Sequence, residues 1–144
     1  MKSTEYTYNL TIKEHHLDTF GHVNNATYLA LFEEARWEII EQNGFGLSKI
    51  MQSGLGPTIL EVKIKYKREL KNREPISIRT TAQPYRGKIG VIQQQMINSK
   101  GEVCCEAEFT FGLFDLSKRK LVAPTKDWLK AKIQFQEHSC ALLK

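Results

Sequence analysis

The chain of 144 residues has few cysteines and no long apolar run. Its three cysteines, Cys104, Cys105 and Cys140, are odd in number and include two neighbours, which is not the pattern of a disulfide framework. No Cys-x-x-Cys pair is present, so a structural zinc site is not indicated. No stretch approaches the roughly 18 apolar residues of a membrane helix, and the N-terminal residues lack the apolar core of a signal peptide. We therefore expect a cytoplasmic protein without a membrane span, with buried and reduced cysteines.

Repeats, low-complexity segments and linkers are also absent. Hydrophobic residues make up 41% and charged residues 26% of the chain, so residues 1–144 are expected to form one globular domain. The net charge of +5 does not indicate nucleic-acid binding, because the basic residues are dispersed and no recognition helix is evident. Lys63, Lys65 and Lys67 alternate with apolar residues, which is typical of a solvated strand face. A positive surface also suits an anionic small molecule that carries phosphates.

The periodicity of apolar residues predicts a sheet and one long helix. Strands are expected at about 6–12, 58–68, 75–84, 88–98 and 102–115. A short helical turn is expected within 45–54, and a C-terminal helical extension at about 124–136. Because short links join the later strands, the prediction is an α+β fold with a core at about 6–115. In that core, a five-stranded antiparallel sheet wraps around the long central helix.

The central helix is expected over about 25–42, with Asn24 as its N-cap and Gly44 as its stop. Its first half is so apolar that we expect it to be buried almost all round. Glu33 and Arg36 are exceptions, because they project among the apolar positions. At a spacing of three residues they can pair with each other, or each can reach a second subunit or a ligand. Since an unpaired buried carboxylate is costly, we favour an ion pair over a catalytic role for Glu33.

A polar loop stands directly before this helix, with the sequence Asp18-Thr19-Phe20-Gly21-His22-Val23-Asn24-Asn25. It places a carboxylate and an imidazole next to the free backbone N–H groups of a helix N-terminus. A single loop aspartate more often forms an Asx turn. Ahead of His22 and the two asparagines, however, Asp18 is favoured as a base or nucleophile. This loop is the candidate active site.

The loop and the predicted layout together resemble the hotdog fold, and within it the hydroxybenzoyl-CoA thioesterase-like family. The loop motif is Asp18-x-x-Gly21-His22-Val23-Asn24-Asn25-x-x-Tyr28. Supporting segments are Glu33-Glu34-Ala35-Arg36, Gly56-Pro57 and Val62-Lys63-Ile64-Lys65-Tyr66. The resemblance covers about 6–115. It implies an acyl-CoA thioesterase that hydrolyses the thioester of an acyl-CoA to the free acid and CoA, and it implies no cofactor and no metal.

The resemblance also implies roles for the loop residues. In this family the aspartate at the position of Asp18 acts as nucleophile or general base. A backbone N–H at the helix N-terminus, here that of Asn25, polarises the thioester carbonyl. His22 would hydrogen-bond the substrate, orient Asp18 or anchor the loop. Tyr28 would contact the substrate or only pack, and Asn24 is better explained as a helix cap.

Further expectations concern the CoA half of the substrate and the assembly. Arg86 and Lys88 bracket Gly87 in a predicted hairpin and suit phosphate recognition, but exposed turn charges explain them equally well. In this fold the active site usually forms between two subunits, so a homodimer is expected at least, and a homotetramer is open. The acyl pocket is expected to be bordered by Leu29, Phe32, Ile59 and Leu60.

Two segments of the sequence depart from the relatives, and several alternatives stay open. Phe20 stands where plant acyl-carrier-protein thioesterases carry an asparagine, and Arg73-Glu74 stands where the family often has Gly-Asp. The alternatives are an acyl-carrier-protein thioesterase and a non-catalytic hotdog module that binds acyl-CoA or acyl carrier protein. A serine hydrolase is disfavoured because Gly-x-Ser-x-Gly is absent. A metal site that uses His15, His16, Asp18 and His22 is disfavoured by poor ligand geometry.

Overall fold

One long helix and an antiparallel sheet account for most of residues 5–131, the part of the chain that the computed structural model describes. The helices are α1 (Asn25–Gln42), α2 (Leu47–Ser53) and α3 (Lys126–Leu129), and a 3-10 turn covers Glu14–His16. The strands are β1 (Glu5–Thr11), β2 (Leu55–Tyr66), β3 (Pro75–Ala82), β4 (Gly90–Ile97), β5 (Val103–Asp115) and β6 (Lys120–Val122). This is the predicted α+β arrangement. None of the helices within 5–131 is long and apolar enough to cross a membrane.

The strands lie in the order β1-β3-β4-β5-β2, and the short β6 pairs with β5. Every pairing is antiparallel. Among the described residues, the long strand β2 therefore lies at the edge of the sheet and is paired along one side, with β5. A bulge between Ile59 and Glu61 interrupts its register near the middle. The outer side of β2 is an open edge that can pair with another chain.

The sheet has two ends that matter for the site. At the loop end, β1 and β2 both finish, as the pairs Thr11↔Pro75 and Tyr66↔Cys105 show. At the hairpin end, β3 turns into β4 through residues 83–89, and β2 begins beside the end of β5. These two names are used below for the two ends.

The helix α1 lies against one face of the sheet. Its buried residues recur every three or four positions: Tyr28, Leu31, Phe32, Ala35, Ile39 and Ile40. The predicted span and cap are confirmed, because the helix runs from Asn25 to Gln42 and Asn24 Oδ1 accepts the N–H of Ala26 at 2.9 Å. The expectation that its first half is buried all round is wrong. Ala26 and Ala30 are exposed, since the sheet covers only one side of the helix.

The five predicted strands are confirmed, with ends that differ by up to three residues. The sixth strand, β6, was not predicted, because three residues are too few to show a period of two. The helical turn expected within 45–54 is α2, with seven residues. Cys104 and Cys105 are buried free thiols, as expected, while Cys140 and the end of the predicted C-terminal helix lie outside the described residues.

Candidate active site

The loop before α1 is closed by hydrogen bonds that involve Asp18. The Asp18 N–H donates to the carbonyl of His22 at 2.7 Å, and Leu17 forms an isolated bridge with Val23. Asp18 Oδ1 accepts the N–H groups of Phe20 at 2.9 Å and of His22 at 3.3 Å. The carboxylate thus forms an Asx turn through one oxygen. Its other oxygen, Oδ2, has no hydrogen-bond partner among residues 5–131, and the residue is exposed.

The N-terminus of α1 follows this loop directly and presents one unpaired donor. The N–H of Ala26 is capped by Asn24 Oδ1, and the N–H of Thr27 donates to the Asn24 carbonyl at 2.9 Å. The N–H of exposed Asn25 has no partner within the described chain. A helix N-terminus carries partial positive charge, so this N–H favours an oxygen that gains negative charge. The sequence did not indicate a contact between Tyr66 and this helix N-terminus. The Tyr66 hydroxyl donates to the Asn25 carbonyl at 3.1 Å and holds the first turn in place.

His22 contacts a residue that the sequence did not indicate. Its Nδ1 contacts the carboxylate of Glu69, just beyond the end of β2, and both side chains are about half exposed. The ring of His22 therefore does not orient the Asp18 carboxylate, and the group of His22 that contacts this carboxylate is its backbone N–H. Nothing local in the sequence pairs these two positions, because the contact exists only after β2 returns to the loop end.

The side chain of Tyr28 is buried beneath the loop that precedes α1. It is 5% exposed, and its ring meets that of Tyr66 edge-on, with centroids 5.1 Å apart. Burial raises the pKa of Tyr28 to about 12, so its hydroxyl stays protonated near neutral pH. In the single chain, this places Tyr28 in the core below the first turn of α1.

Glu33 and Arg36 do not form the favoured ion pair within the described chain. Arg36 turns inward instead, where its Nη1 donates to Gln94 Oε1 at 2.9 Å and its Cζ lies 4.2 Å from the Phe109 ring centroid. Burial lowers the pKa of Arg36 to about 10. Glu33 is exposed rather than buried, so it needs no counter-ion to avoid a desolvation cost.

An apolar cleft opens between α1 and the first half of β2. Exposed Glu33, Trp37 and Ile59 border its mouth. Its buried lining residues, here called the floor, are Ile39, Ile40, Thr80, Ile92, Phe111 and Trp128. Of the four expected pocket residues, Ile59 borders the cleft. The other three, Leu29, Phe32 and Leu60, do not line this cleft. Phe32 is fully buried in the core against Phe109.

Arg86 and Lys88 lie far from the loop within one chain. Both are exposed in the turn between β3 and β4, at the hairpin end, whereas Asp18 lies at the loop end. Gly87 between them has a φ of +61°, a left-handed conformation that suits glycine. The single chain thus brings together Asp18, His22 and Asn25 but separates them from the two expected phosphate contacts.

The histidines near the loop have separate environments. The His15 and His16 rings contact each other at a tilt of 48°, with centroids 4.0 Å apart, and His16 Nδ1 accepts the N–H of Lys13 at 2.9 Å. His22 is engaged by Glu69. Across the described part of the chain, no three side chains of His, Cys, Asp or Glu converge as metal ligands do.

Comparison with known proteins gives a consistent result. A model of the thioesterase-like superfamily matches residues 12–133. The long-chain acyl-CoA thioesterase FadM of Escherichia coli K12 is 30% identical over 115 residues, which cover 79% of this chain and 86% of that protein. The acyl-CoA thioester hydrolase YbgC of Escherichia coli O6:H1 is 23% identical over 120 residues, which cover 83% of this chain and 90% of that protein. SAV2348 of Staphylococcus aureus, solved in complex with CoA, superposes with a TM-score of 0.83 at 16% identity and shares the fold over 91% of this chain and 83% of that one.

Proposed function

This chain belongs to the thioesterase-like superfamily and has the hotdog fold, and we propose that it hydrolyses an acyl-CoA to the free acid and CoA. One observation carries the proposal: the partly free carboxylate of Asp18 lies in a closed loop that leads directly into the helix N-terminus with the unpaired Asn25 N–H. Hydrolysis of a thioester needs a base or nucleophile and a donor for the oxyanion, and this loop supplies both.

In the proposed reaction, Asp18 Oδ2 removes a proton from a water molecule as the water oxygen attacks the thioester carbonyl carbon. The negative charge that develops on the carbonyl oxygen is stabilised by the Asn25 N–H and the helix dipole. The C–S bond then breaks, and the CoA thiolate leaves and takes up a proton. In the alternative route, Oδ2 attacks the carbonyl carbon itself, and the C–S bond breaks with loss of the CoA thiolate, which takes up a proton. Water then cleaves the resulting anhydride to the free acid and the Asp18 carboxylate. Both routes use the oxygen that the Asx turn leaves free.

The complete site is proposed to form between two copies of the chain. The open edge of β2 carries exposed Leu60, Val62 and Tyr66, which are apolar or aromatic side chains on an unpaired strand. If two copies pair along β2 about a two-fold axis, their strands run antiparallel. The loop end of one copy then adjoins the hairpin end of the other. Such a homodimer is the smallest assembly that brings all of the expected site residues together.

This arrangement gives a role to residues that one chain keeps apart. The partner's Arg86 and the partner's Lys88 come to the end of the sheet that holds Asp18, where they can bind CoA phosphates. The cleft, which Ile59 borders in the hairpin half of β2, opens in turn toward the partner's Asp18. We propose that the cleft takes the acyl group, with Glu33 at its mouth, and that Tyr28 supports the wall beneath the thioester.

The direct test is thiol release by the wild-type protein from a panel of acyl-CoAs with aliphatic and aromatic acyl groups. Hydrolysis of at least one acyl-CoA supports the proposal. Binding of acyl-CoAs without thiol release would indicate a non-catalytic module instead. Release from acyl carrier protein but not from CoA would indicate a carrier-protein thioesterase.

A further inference from the structure

One residue in the floor of the cleft comes from outside the main sheet and the central helix. Trp128 lies in the short helix α3, is 2% exposed and lines the cleft. Phe111 and Ile92 of the sheet and Ile40 of α1 adjoin it in the floor. Because Trp37 and Ile59 are exposed and Trp128 is buried, an acyl group that enters past the two exposed side chains approaches the indole.

The indole is held firmly at this position. Its Nε1 donates to the hydroxyl of Tyr85 at 2.6 Å, so the polar atom of the buried ring is satisfied. The ring meets Phe45 and Phe111 edge-on, with centroids 5.2 Å and 6.3 Å away. Such aromatic contacts add to the stability of a buried ring and restrict its rotation.

The backbone of α3 is anchored as well. Thr125 caps the helix by accepting the Trp128 N–H at 3.2 Å. Just beyond the helix, the carbonyl of Ala131 accepts a hydrogen bond from Asn43 Nδ2 at 3.0 Å, next to the end of α1. Trp128 is thus fixed by its ring and by its backbone, and the cleft cannot deepen without loss of these contacts.

We infer that Trp128 is the residue that limits the length of the acyl group, an inference that rests on the proposed acyl-CoA hydrolysis. A chain that stops at the indole buries all of its methylenes in the cleft. A longer chain must bend, push the indole aside or leave methylenes in water, and in each case it loses transition-state binding. In an apolar pocket one methylene changes kcat/KM by roughly tenfold or more, so a rigid floor produces a sharp upper limit.

The test measures kcat and KM for saturated acyl-CoAs of increasing length with wild type, Trp128→Leu and Trp128→Phe. We expect the longest well-accepted chain to increase in the order wild type, Trp128→Phe, Trp128→Leu. The gain for over-long substrates should be roughly tenfold or more in kcat/KM and should include a lower KM. Trp128→Phe keeps an aromatic ring in the cluster, so it answers the question if Trp128→Leu does not fold.

Phe45→Leu is the matched control, because Phe45 packs on Trp128 in the same aromatic cluster but does not line the cleft. It should lower the melting temperature without moving the chain-length limit. If wild type hydrolyses acyl-CoAs and both Trp128 variants keep its length profile, the inference is wrong and the proposed function stands. If wild type releases no thiol from any acyl-CoA, the proposed function is wrong as well.

Discussion

The imidazole of His22 contacts the carboxylate of Glu69 through Nδ1, and this contact connects the loop before α1 to the residues that follow β2. A carboxylate on Nδ1 favours the tautomer that carries its proton there. The other ring nitrogen, Nε2, is then available to a substrate or a water molecule. The relationship makes Glu69 a candidate positioning residue for His22, and we propose that the Nε2 of His22 binds the substrate or the attacking water.

The substitution Glu69→Gln tests this relationship. It keeps the shape of the side chain but removes the charge that holds the imidazole, so we expect kcat to fall roughly tenfold. KM and the melting temperature should change little, because both side chains are half exposed. The control is Glu5→Gln. Glu5 lies on the edge strand β1 and forms a similarly exposed ion pair with Arg79, and the substitution removes its charge. Equal kcat values in the two variants would show that the His22–Glu69 contact has no role in the reaction.

A second prediction concerns the buried amide of Gln94. Its Oε1 accepts from Arg36 at 2.9 Å, and its Nε2 donates to the Phe32 carbonyl at 3.1 Å and to Thr80 at 3.0 Å. Gln94→Leu leaves the guanidinium and these acceptors without their partner, and should lower the free energy of unfolding by about 2 kcal/mol or more. Urea denaturation measures this loss. Gln93→Leu, at the exposed neighbouring position, should cost much less.

The open edge of β2 gives a third prediction. Val62→Asp places a carboxylate on the edge where the second copy is proposed to pair, so the variant should sediment as a monomer and lose most hydrolysis. Thr7→Asp adds the same charge to the opposite edge strand, β1, and should leave both properties unchanged. Analytical ultracentrifugation with a parallel thiol-release assay checks both. A fully active Val62→Asp monomer would disprove the shared site.

The sequence predicted best what depends on neighbouring residues. Asn24 caps α1 and Gln42 ends it as expected, because capping is decided within a few residues of the helix end. The backbone conformation of residue 73 also explains why the family often has a glycine at this position. Arg73 has a φ of +63°, a left-handed conformation in which glycine is less strained. The arginine is held there by its contacts with Glu14.

This turn yields a fourth prediction. Hydrogen bonds from Asn72 and from Arg73 hold the pKa of Glu14 at about 2, below its ordinary value of 4.5. The contact therefore stabilises the fold above about pH 4.5, and this contribution is lost as the pH falls toward 2. Arg73→Gly should raise the pKa of Glu14 part of the way back, since Asn72 still donates. Carboxyl titration by NMR measures it, and an unchanged pKa would show that Arg73 has no part in the shift.

Contacts between segments that are distant in the sequence could not be predicted from the sequence pattern. Glu69 reaches His22 only because β2 ends beside the loop, and Trp128 reaches the cleft only because α3 folds back onto the sheet. Helical spacing allowed Arg36 to pair with Glu33, with a second subunit or with a ligand, and it did not indicate the buried amide on β4 to which Arg36 donates. Arg86 and Asp18 were both predicted to be site residues. In one chain, however, they lie at opposite ends of the sheet, and this separation follows from the order and direction of the strands. Helical spacing and local motifs contain none of this information.

The rate of thiol release by Asp18→Asn shows directly whether the Asp18 carboxylate carries out the proposed hydrolysis. The amide oxygen of the variant can still accept the N–H groups of Phe20 and His22, so the loop should keep its shape and the melting temperature should not change. The carboxylate that acts as base or nucleophile is lost, and we expect kcat to fall about 10²- to 10⁴-fold for every acyl-CoA that wild type hydrolyses. A folded Asp18→Asn variant with a kcat close to that of wild type would contradict the account.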